Sequence, residues 1–280
     1  MTRRDSILRE MGLGPIWRLR DAPEVALAAD DGPEPAVVQD DPPPAPAAPP
    51  PRQAASPLKS LASFQNAAAE PAVARTPPAD AGERTARLAG LDWEALTETI
   101  LACRDCTLCE QRTQAVPGVG DVQADWLFVG EGPGAEEDAR GEPFVGKAGK
   151  LLDAMLAAID LRRGDNVYIA NAVKCRPPLN RTPEAEELAA CFPYLARQIE
   201  LIRPKLIVAL GRPAAQALLN TDIRIASARG RCFDYQGTPV IVTYHPAYLL
   251  RNPLDKAKAW EDLCFARRQM RDRQSGQGEV

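Results

Sequence analysis

The stretch WLFVGEGPG, residues 126–134, is a short apolar run that ends in a glycine-rich turn. Four apolar residues followed at once by Gly130 and the charged Glu131 are typical of a buried strand that ends at the edge of a sheet. Further apolar runs of similar length follow later in the chain, at 167–170, 206–210 and 240–243. The sequence therefore predicts four buried strands.

Helical patterns lie between and after these strands, and they decide the fold class. Helices are predicted at 147–159, 183–202, 213–219 and 254–270. Thr182 is the predicted N-cap of the second helix, because proline at the first helical position after a threonine is a common start signal. Strands that alternate with helices predict an α/β protein, a three-layer α/β/α fold with a short parallel four-stranded sheet.

The N-terminal part of the chain has a different composition. Residues 21–85 hold 14 of the 27 prolines and only one aromatic residue, which leaves too few large apolar side chains for a packed core. We predict a short N-terminal segment at 1–20, a disordered Pro/Ala-rich linker at 21–88, a folded domain at 89–272 and a disordered tail at 273–280. The segment 1–20 is either a frayed terminus or a docking helix for a protein partner.

Charge and hydropathy limit the class of protein. Residues 1–100 carry 10 basic and 15 acidic side chains, whereas residues 101–280 carry 24 and 23. The predicted folded domain is therefore close to neutral, which permits a local basic surface for nucleic acid. No apolar run reaches the roughly 20 residues that span a bilayer. Seven cysteines without an export signal favour a reducing compartment, so we expect a cytoplasmic monomer.

Polar side chains lie at the ends of three of the four predicted strands. They are Glu131, Asn171 and His245, and His245 is the only histidine of the chain. Ligands of open parallel sheets bind beyond the carboxyl ends of the strands. A single polar residue at a strand end is commonly structural, but three that converge on one edge predict a ligand site.

Two glycine motifs resemble nucleotide-binding loops. GEGPGA at 130–135 lacks the third glycine of a dinucleotide-binding turn. GEPFVGKA at 141–148 has Ala148 where a phosphate-binding loop needs serine or threonine, and it begins about ten residues after the strand ends. Neither motif predicts a nucleotide triphosphatase.

The cysteine spacing predicts a metal site. Cys103, Cys106 and Cys109 form a C-x2-C-x2-C run, and Cys175 and Cys191 follow in the next strand–helix unit. A close pair plus two distant cysteines is how four-cysteine sites for zinc and for iron–sulfur clusters are built. The spacing by itself chooses neither the metal nor the spare thiol of the run.

Taken together, these motifs resemble the family 4 uracil-DNA glycosylases, the iron–sulfur class of that superfamily. The likeness covers about residues 91–270 and rests on five motifs in order: CRDC (103–106), GEGPGAEED (130–138), GEPFVGKAGKLLD (141–153), NAVKCRPP (171–178) and YHPAYLLR (244–251). The resemblance implies a 4Fe-4S cluster on four cysteines, and it leaves Cys109 as the extra thiol. The implied ligands are Cys103, Cys106, Cys175 and Cys191.

The resemblance also implies a pocket for one uracil flipped out of DNA, lined by Gly130, Glu131, Gly132, Phe144, Asn171 and His245. In it, Asn171 reads the Watson–Crick edge, Phe144 stacks on the base, and His245 donates to O2 as negative charge develops there. Leu249 is the implied wedge in the minor groove and Arg251 the implied phosphate contact.

One position departs from better-known uracil-DNA glycosylases, which carry an aspartate where this chain has Gly132. The residue that orients the attacking water is therefore open among five candidates, which are Glu131, Asn171, Glu136, Glu137 and Asp138. We expect His245, Glu131 and Asn171 to be the catalytic residues. The alternative is a uracil-DNA sensor that binds without catalysis. Covalent capture through a second histidine is not expected, since 227–231 contains none.

Overall fold

The computed structural model describes residues 81–276. The predicted N-terminal segment 1–20, the part of the predicted linker before residue 81, and residues 277–280 lie outside the described residues. Among residues 81–276, no helix is both long enough and apolar enough to cross a membrane.

Four inner strands form the parallel core of one sheet, and a short antiparallel strand flanks each edge. In chain order the strands are β1 (Val119–Gly120), β2 (Trp126–Gly130), β3 (Val167–Asn171), β4 (Leu206–Leu210), β5 (Cys232–Tyr235) and β6 (Thr238–Thr243). They lie in the order β1-β3-β2-β4-β6-β5. The four parallel strands are the predicted ones, so the fold class is confirmed. The edge strands were missed because β1 has two residues and β5 has only one fully buried residue, so neither forms a continuous apolar run.

Helices cover both faces of the sheet. In chain order they are α1 (Ala81–Ala89), α2 (Trp93–Ala102), α3 (Ala135–Arg140), α4 (Lys147–Ala157), α5 (Ala185–Ile202), α6 (Arg212–Leu219), α7 (Ile225–Ala228), α8 (Pro246–Arg251) and α9 (Lys256–Gly276). Single 3-10 turns occur at Thr107–Glu110, Pro178–Asn180 and Pro253–Asp255.

Alternate residues of the inner strands point to opposite layers. On β2, Leu127 and Val129 pack with α5 and α6 on one face. Trp126 and Phe128 pack with α4 and α9 on the other. Because both faces are covered by helices, every residue of β2, β3 and β4 is buried. The continuous apolar runs in the sequence are the direct result of this arrangement.

Helix α5 begins later than predicted. Its N-cap is Glu184, not Thr182, and the carboxylate of Glu187 accepts the backbone N–H of Glu184 at 2.7 Å. The prediction of Thr182 as the cap was wrong because Thr182 instead hydrogen-bonds Glu131 in the cleft described below.

Two predicted boundaries also need correction, because helices extend into both predicted disordered segments. Helix α1 occupies the end of the predicted linker, and α9 continues to Gly276 inside the predicted tail. In α1, Leu88 is 1% exposed, and Arg84 donates to Asp105 at 2.8 Å and to the backbone oxygen of Ala190. Composition missed α1 because its one buried apolar side chain does not stand out from a linker.

Replacing Leu88 tests whether α1 is part of the folded domain. Leu88→Ala removes a buried side chain and leaves a cavity, so we expect the free energy of unfolding in urea to fall by about 2–5 kcal/mol. Leu101→Ala is the matched control, since Leu101 is 48% exposed and should change stability by no more than about 0.5 kcal/mol. Equal, small effects of the two substitutions would mean that α1 is not integral to the domain.

Candidate active site

A cleft of about 800 Å³ opens at the carboxyl edge of the parallel sheet. The segments that follow all four parallel strands contribute to its lining, through Glu131, Asn171, Gly211 and His245. Phe144, from the loop between α3 and α4, completes the wall. The structure therefore brings the predicted strand-end residues into one cleft, as the parallel topology requires.

Gly130 makes the close approach of two of these side chains possible. It pairs with Asn171 across β2 and β3. A Cβ atom on Gly130 would lie 2.5 Å from Asn171 Oδ1 and 2.5 Å from the ring of Phe144. Any side chain at this position would displace one of them. Gly130 therefore contributes to the site by having no side chain.

Phe144 is held in its position by backbone contacts. Its φ of 55° is unusual for a large residue, and Arg163 donates to its backbone oxygen at 2.9 Å and to that of Pro143 at 2.9 Å. A Cβ on Gly149 of α4 would lie 1.7 Å from the same Phe144 oxygen. The ring of Phe144 stacks on the imidazole of His245, with ring centroids 5.4 Å apart and ring planes at 28° to each other.

Asn171 carries an unused hydrogen-bond acceptor. The residue is 2% exposed, and among residues 81–276 its Oδ1 is the one buried side-chain nitrogen or oxygen without a hydrogen-bond partner. Leaving a buried acceptor unpaired costs about 1–3 kcal/mol. An acceptor kept unpaired at this cost, at the wall of a cleft, is suited to a ligand N–H.

His245 is a neutral donor in this arrangement. The backbone N–H of Ala247 donates to its Nδ1 at 3.1 Å, which caps α8 and places the imidazole proton on Nε2. Burial lowers the pKa of His245 to about 4, with Arg251 acting in the same direction and Glu137 against it. The imidazole is therefore uncharged at neutral pH.

Glu131 is the carboxylate that remains available in the cleft. Burial raises its pKa, while a hydrogen bond with Thr182 and the charges of Arg212 and Arg251 oppose that shift. A partly desolvated carboxylate beside two cations can accept a proton or hold a water molecule.

The acidic residues of α3 have structural roles instead. Glu137 accepts backbone N–H groups from Gly134, Val145 and Gly146 at 3.0–3.2 Å, so it ties both cleft loops to α3. Asp138 is buried and accepts the backbone N–H of Thr113. Of the five open candidates for water positioning, Glu137 and Asp138 are thus already engaged by the backbone.

The structure contradicts the predicted wedge. Leu249 is 1% exposed, whereas Leu250 is 42% exposed. Successive residues of a helix are about 100° apart around its axis, so α8 turns Leu249 inward and Leu250 outward. The prediction of Leu249 was wrong because the spacing of YHPAYLLR does not show which of two adjacent leucines packs inside. Arg251 is exposed and lines the cleft, and its contact with a phosphate stays a prediction.

An ion pair between the buried Asp262 and the half-buried Arg229 supports the His245 loop, and the sequence motifs did not predict it. Asp262 of α9 accepts from Thr243 Oγ1 at 2.7 Å and from Arg229 Nε at 2.8 Å. The Arg229 guanidinium also lies 5.5 Å from the ring centre of Tyr244, next to His245. No local signal could reveal this network, since its members are up to 33 residues apart in sequence.

The four predicted ligand cysteines come together away from the cleft. They line one small cavity beside Lys174 and Tyr194, whereas Cys109 is not part of its lining. Arg112 Nη1 donates to Cys175 Sγ at 2.8 Å, and the backbone N–H of Lys174 donates to Cys191 Sγ at 3.2 Å. Among residues 81–276, no three His, Cys, Asp or Glu side chains are arranged to hold a metal ion.

Comparison with known proteins identifies the family of this chain. Residues 117–264, more than half of the chain, match the model of the uracil DNA glycosylase superfamily. The chain belongs to this superfamily. Several similar relatives, at 44–49% identity, are type-4 uracil-DNA glycosylases, so the resemblance to family 4 is confirmed.

Three of these type-4 uracil-DNA glycosylases illustrate the likeness. The one from Archaeoglobus fulgidus is 49% identical over 166 residues, which cover 56% of this chain and 83% of the relative. The one from Pyrobaculum aerophilum is 44% identical over 185 residues, covering 62% and 93%. The one from Thermotoga maritima is 49% identical over 161 residues, covering 57% and 83%.

The single histidine makes the electrostatics of the cleft directly measurable. In an NMR titration of the native protein, we expect the His245 imidazole signal to titrate with a midpoint near 4, because burial disfavours the cation. In denaturant the same signal should titrate near its ordinary value of about 6.5. A native midpoint at or above that value would show that His245 is charged or solvated, contrary to the arrangement described.

Proposed function

We propose that this chain excises uracil from DNA by hydrolysing the bond between the base and its deoxyribose. The observation that carries the proposal is the unpaired, buried Oδ1 of Asn171, located beside Phe144 in a cleft that also contains a neutral histidine donor. The relatives described above are type-4 uracil-DNA glycosylases, which supports the same activity.

Asn171 reads the base through both halves of its amide. Its Oδ1 accepts N3–H of uracil and its Nδ2 donates to O4, whereas cytosine presents an acceptor and a donor in the opposite places. A wrong base would leave buried polar groups unpaired, which gives strong discrimination. The ring of Phe144 stacks on the flipped base, and such stacking is worth about 1–3 kcal/mol.

His245 stabilises the leaving base. Cleavage of the glycosidic bond moves negative charge onto the uracil ring, and His245 Nε2–H donates to O2 as this charge develops. Because Nδ1 accepts the Ala247 amide, the donor is oriented before the substrate arrives. Loss of a comparable preorganised donor lowers rates by about a hundred- to a thousandfold.

Glu131 orients the water that attacks the sugar. Glu137 and Asp138 are occupied by backbone N–H groups, and Glu136 is exposed at the surface. Glu131 is therefore the acidic side chain among these candidates that both lines the cleft and keeps a carboxylate available there. Its negative charge also favours the oxocarbenium-like sugar of the transition state.

The DNA is engaged at the mouth of the cleft. Arg212 and Arg251 line this mouth and provide positive charge for phosphates. Leu250, rather than Leu249, provides the exposed apolar side chain that enters the space left by the flipped uracil.

Cys103, Cys106, Cys175 and Cys191 hold a 4Fe-4S cluster in this proposal. All four line one cavity, and N–H donors already point at two of the sulfur atoms, as is common around cluster thiolates. Bound there, the cluster would cross-link the segment after α2, the segment after β3, and α5, away from the reacting bond.

Burial raises the pKa of Cys175 to about 11 and that of Cys191 to about 12. Without a metal these thiols therefore stay protonated at neutral pH, and cluster binding must release their protons. The cations of Arg112 and Lys174 oppose this shift and favour the bound thiolates.

An oligonucleotide assay tests the proposed activity. A strand containing one uracil, treated with the protein and then with alkali, should break at that site, and a strand with cytosine in its place should not. Asn171→Asp removes the donor to O4, so the ratio of kcat/KM for uracil over cytosine should fall at least tenfold. Binding of uracil-DNA without strand breakage would contradict the proposed enzyme and leave a sensor.

Matched cysteine substitutions test the ligand set. Cys175→Ser and Cys191→Ser should abolish the iron content and the brown absorbance near about 400 nm. Cys109→Ser should retain both, because Cys109 is not in the lining of the cavity. Loss of iron in Cys109→Ser, or stoichiometric zinc in the unaltered protein, would contradict the assignment.

A further inference from the structure

The loop after β3 presents a leucine to solvent in an unfavourable backbone conformation. Leu179, in the 3-10 turn Pro178–Asn180, is 96% exposed and has a φ of 53°. The next residue, Asn180, also has a positive φ of 56°. Asparagine tolerates this left-handed region, but leucine is strongly disfavoured there. Nothing in the described fold benefits from the side chain, since it packs against nothing.

The unusual backbone conformation is held by specific contacts. Arg176 Nε donates to Asn180 Oδ1 at 2.7 Å, and the backbone N–H of Asn180 donates to Pro177 at 3.0 Å. Arg181 pairs with Glu187 of α5 at 2.6 Å. Strained residues held in this way cluster at functional sites.

The position of Leu179 relates it to the proposed substrate. Its neighbours Pro177 and Asn180 line the cleft, so Leu179 lies at the rim. β3 and β6 are separated in the sheet by β2 and β4, which places them about 14 Å apart at the usual strand spacing. The loop after β3 carries Leu179 and the segment after β6 carries Leu250. The two exposed leucines therefore extend from opposite sides of the cleft.

The surroundings favour nucleic acid as the contact. Arg176 belongs to the same loop, and Arg212 and Arg251 line the same cleft from the segments that follow β4 and β6. An apolar side chain at the rim of a cleft that is bordered by guanidinium groups suits a surface of stacked bases and sugars bordered by phosphates.

We propose that Leu179 is a second apolar contact to the DNA duplex, on the side of the flipped nucleotide opposite Leu250. This inference rests on the proposed glycosylase function. With an apolar side chain on each side, the duplex is held open at both steps that flank the flipped uracil. The strained backbone keeps the side chain of Leu179 pointing outward before DNA binds.

Leu179→Asn separates a DNA contact from a structural role. Asparagine fits the left-handed backbone better than leucine, so Tm should stay equal or rise. The kcat/KM for a uracil-containing duplex should fall about five- to tenfold, as expected for losing part of the burial of one leucine. On a single strand, which has no stacked partner to hold open, the loss should be smaller. Leu179→Met, which remains apolar, should restore most of the duplex activity.

Val122→Asn is the matched control. Val122 is 40% exposed and lies between β1 and the start of β2, at the opposite edge of the sheet from the cleft. The Val122→Asn substitution should leave the kcat/KM for the uracil-containing duplex unchanged. If the unaltered protein excises uracil but Leu179→Asn does so equally well, the inference about Leu179 is wrong while the proposed function stands. The inference about Leu179 would also be overturned if Leu179→Asn lowered Tm as well as activity. Equal losses of kcat/KM on duplex and single-stranded substrates would overturn it too.

Discussion

The site depends on the absence of a side chain at Gly130. This residue ends β2 where the strand pairs with Asn171, and the ring of Phe144 covers the space that a Cβ would occupy. The backbone conformation of Phe144 in turn depends on Gly149 and on the guanidinium of Arg163. Two glycines and one arginine thus bring the amide of Asn171 and the ring of Phe144 together at the wall of the cleft.

The unpaired Oδ1 of Asn171 lowers the stability of the folded protein, whereas the backbone of the same residue is held by a buried lysine. Lys174 Nζ donates to the backbone oxygen of Asn171 at 3.0 Å and to Gln198 Oε1 at 2.6 Å. Burial lowers the pKa of Lys174 to about 8, and the adjacent Cys191 and Cys175 oppose this shift. Lys174 therefore connects the end of β3 at Asn171 to the cysteine cavity.

The carboxylates of the cleft show why residue type alone does not assign a role. Glu131 and Glu137 are six residues apart and both line the same cleft. The backbone N–H groups of Val145 and Gly146 occupy Glu137, which leaves Glu131 as the available carboxylate. The sequence could nominate acidic residues here, but hydrogen-bond partners decided between them. The same holds for the two leucines of α8, which differ only in the side of the helix they occupy.

The amino-acid sequence by itself determined the four parallel strands and the edge of the sheet at which Glu131, Asn171 and His245 meet. The cysteine spacing left the spare thiol of the 103–109 run open, and the structure leaves Cys109 out of the cavity lining. Strand burial and strand-end chemistry are encoded locally, in runs of four or five residues, and the motifs of the family keep their order along the chain. Only the tertiary structure decided that Thr182 faces Glu131, that Leu249 is buried while Leu250 is exposed, and that Arg229 and Asp262 support the His245 loop. These features depend on contacts between residues far apart in sequence, and such contacts exist only once the layers have packed.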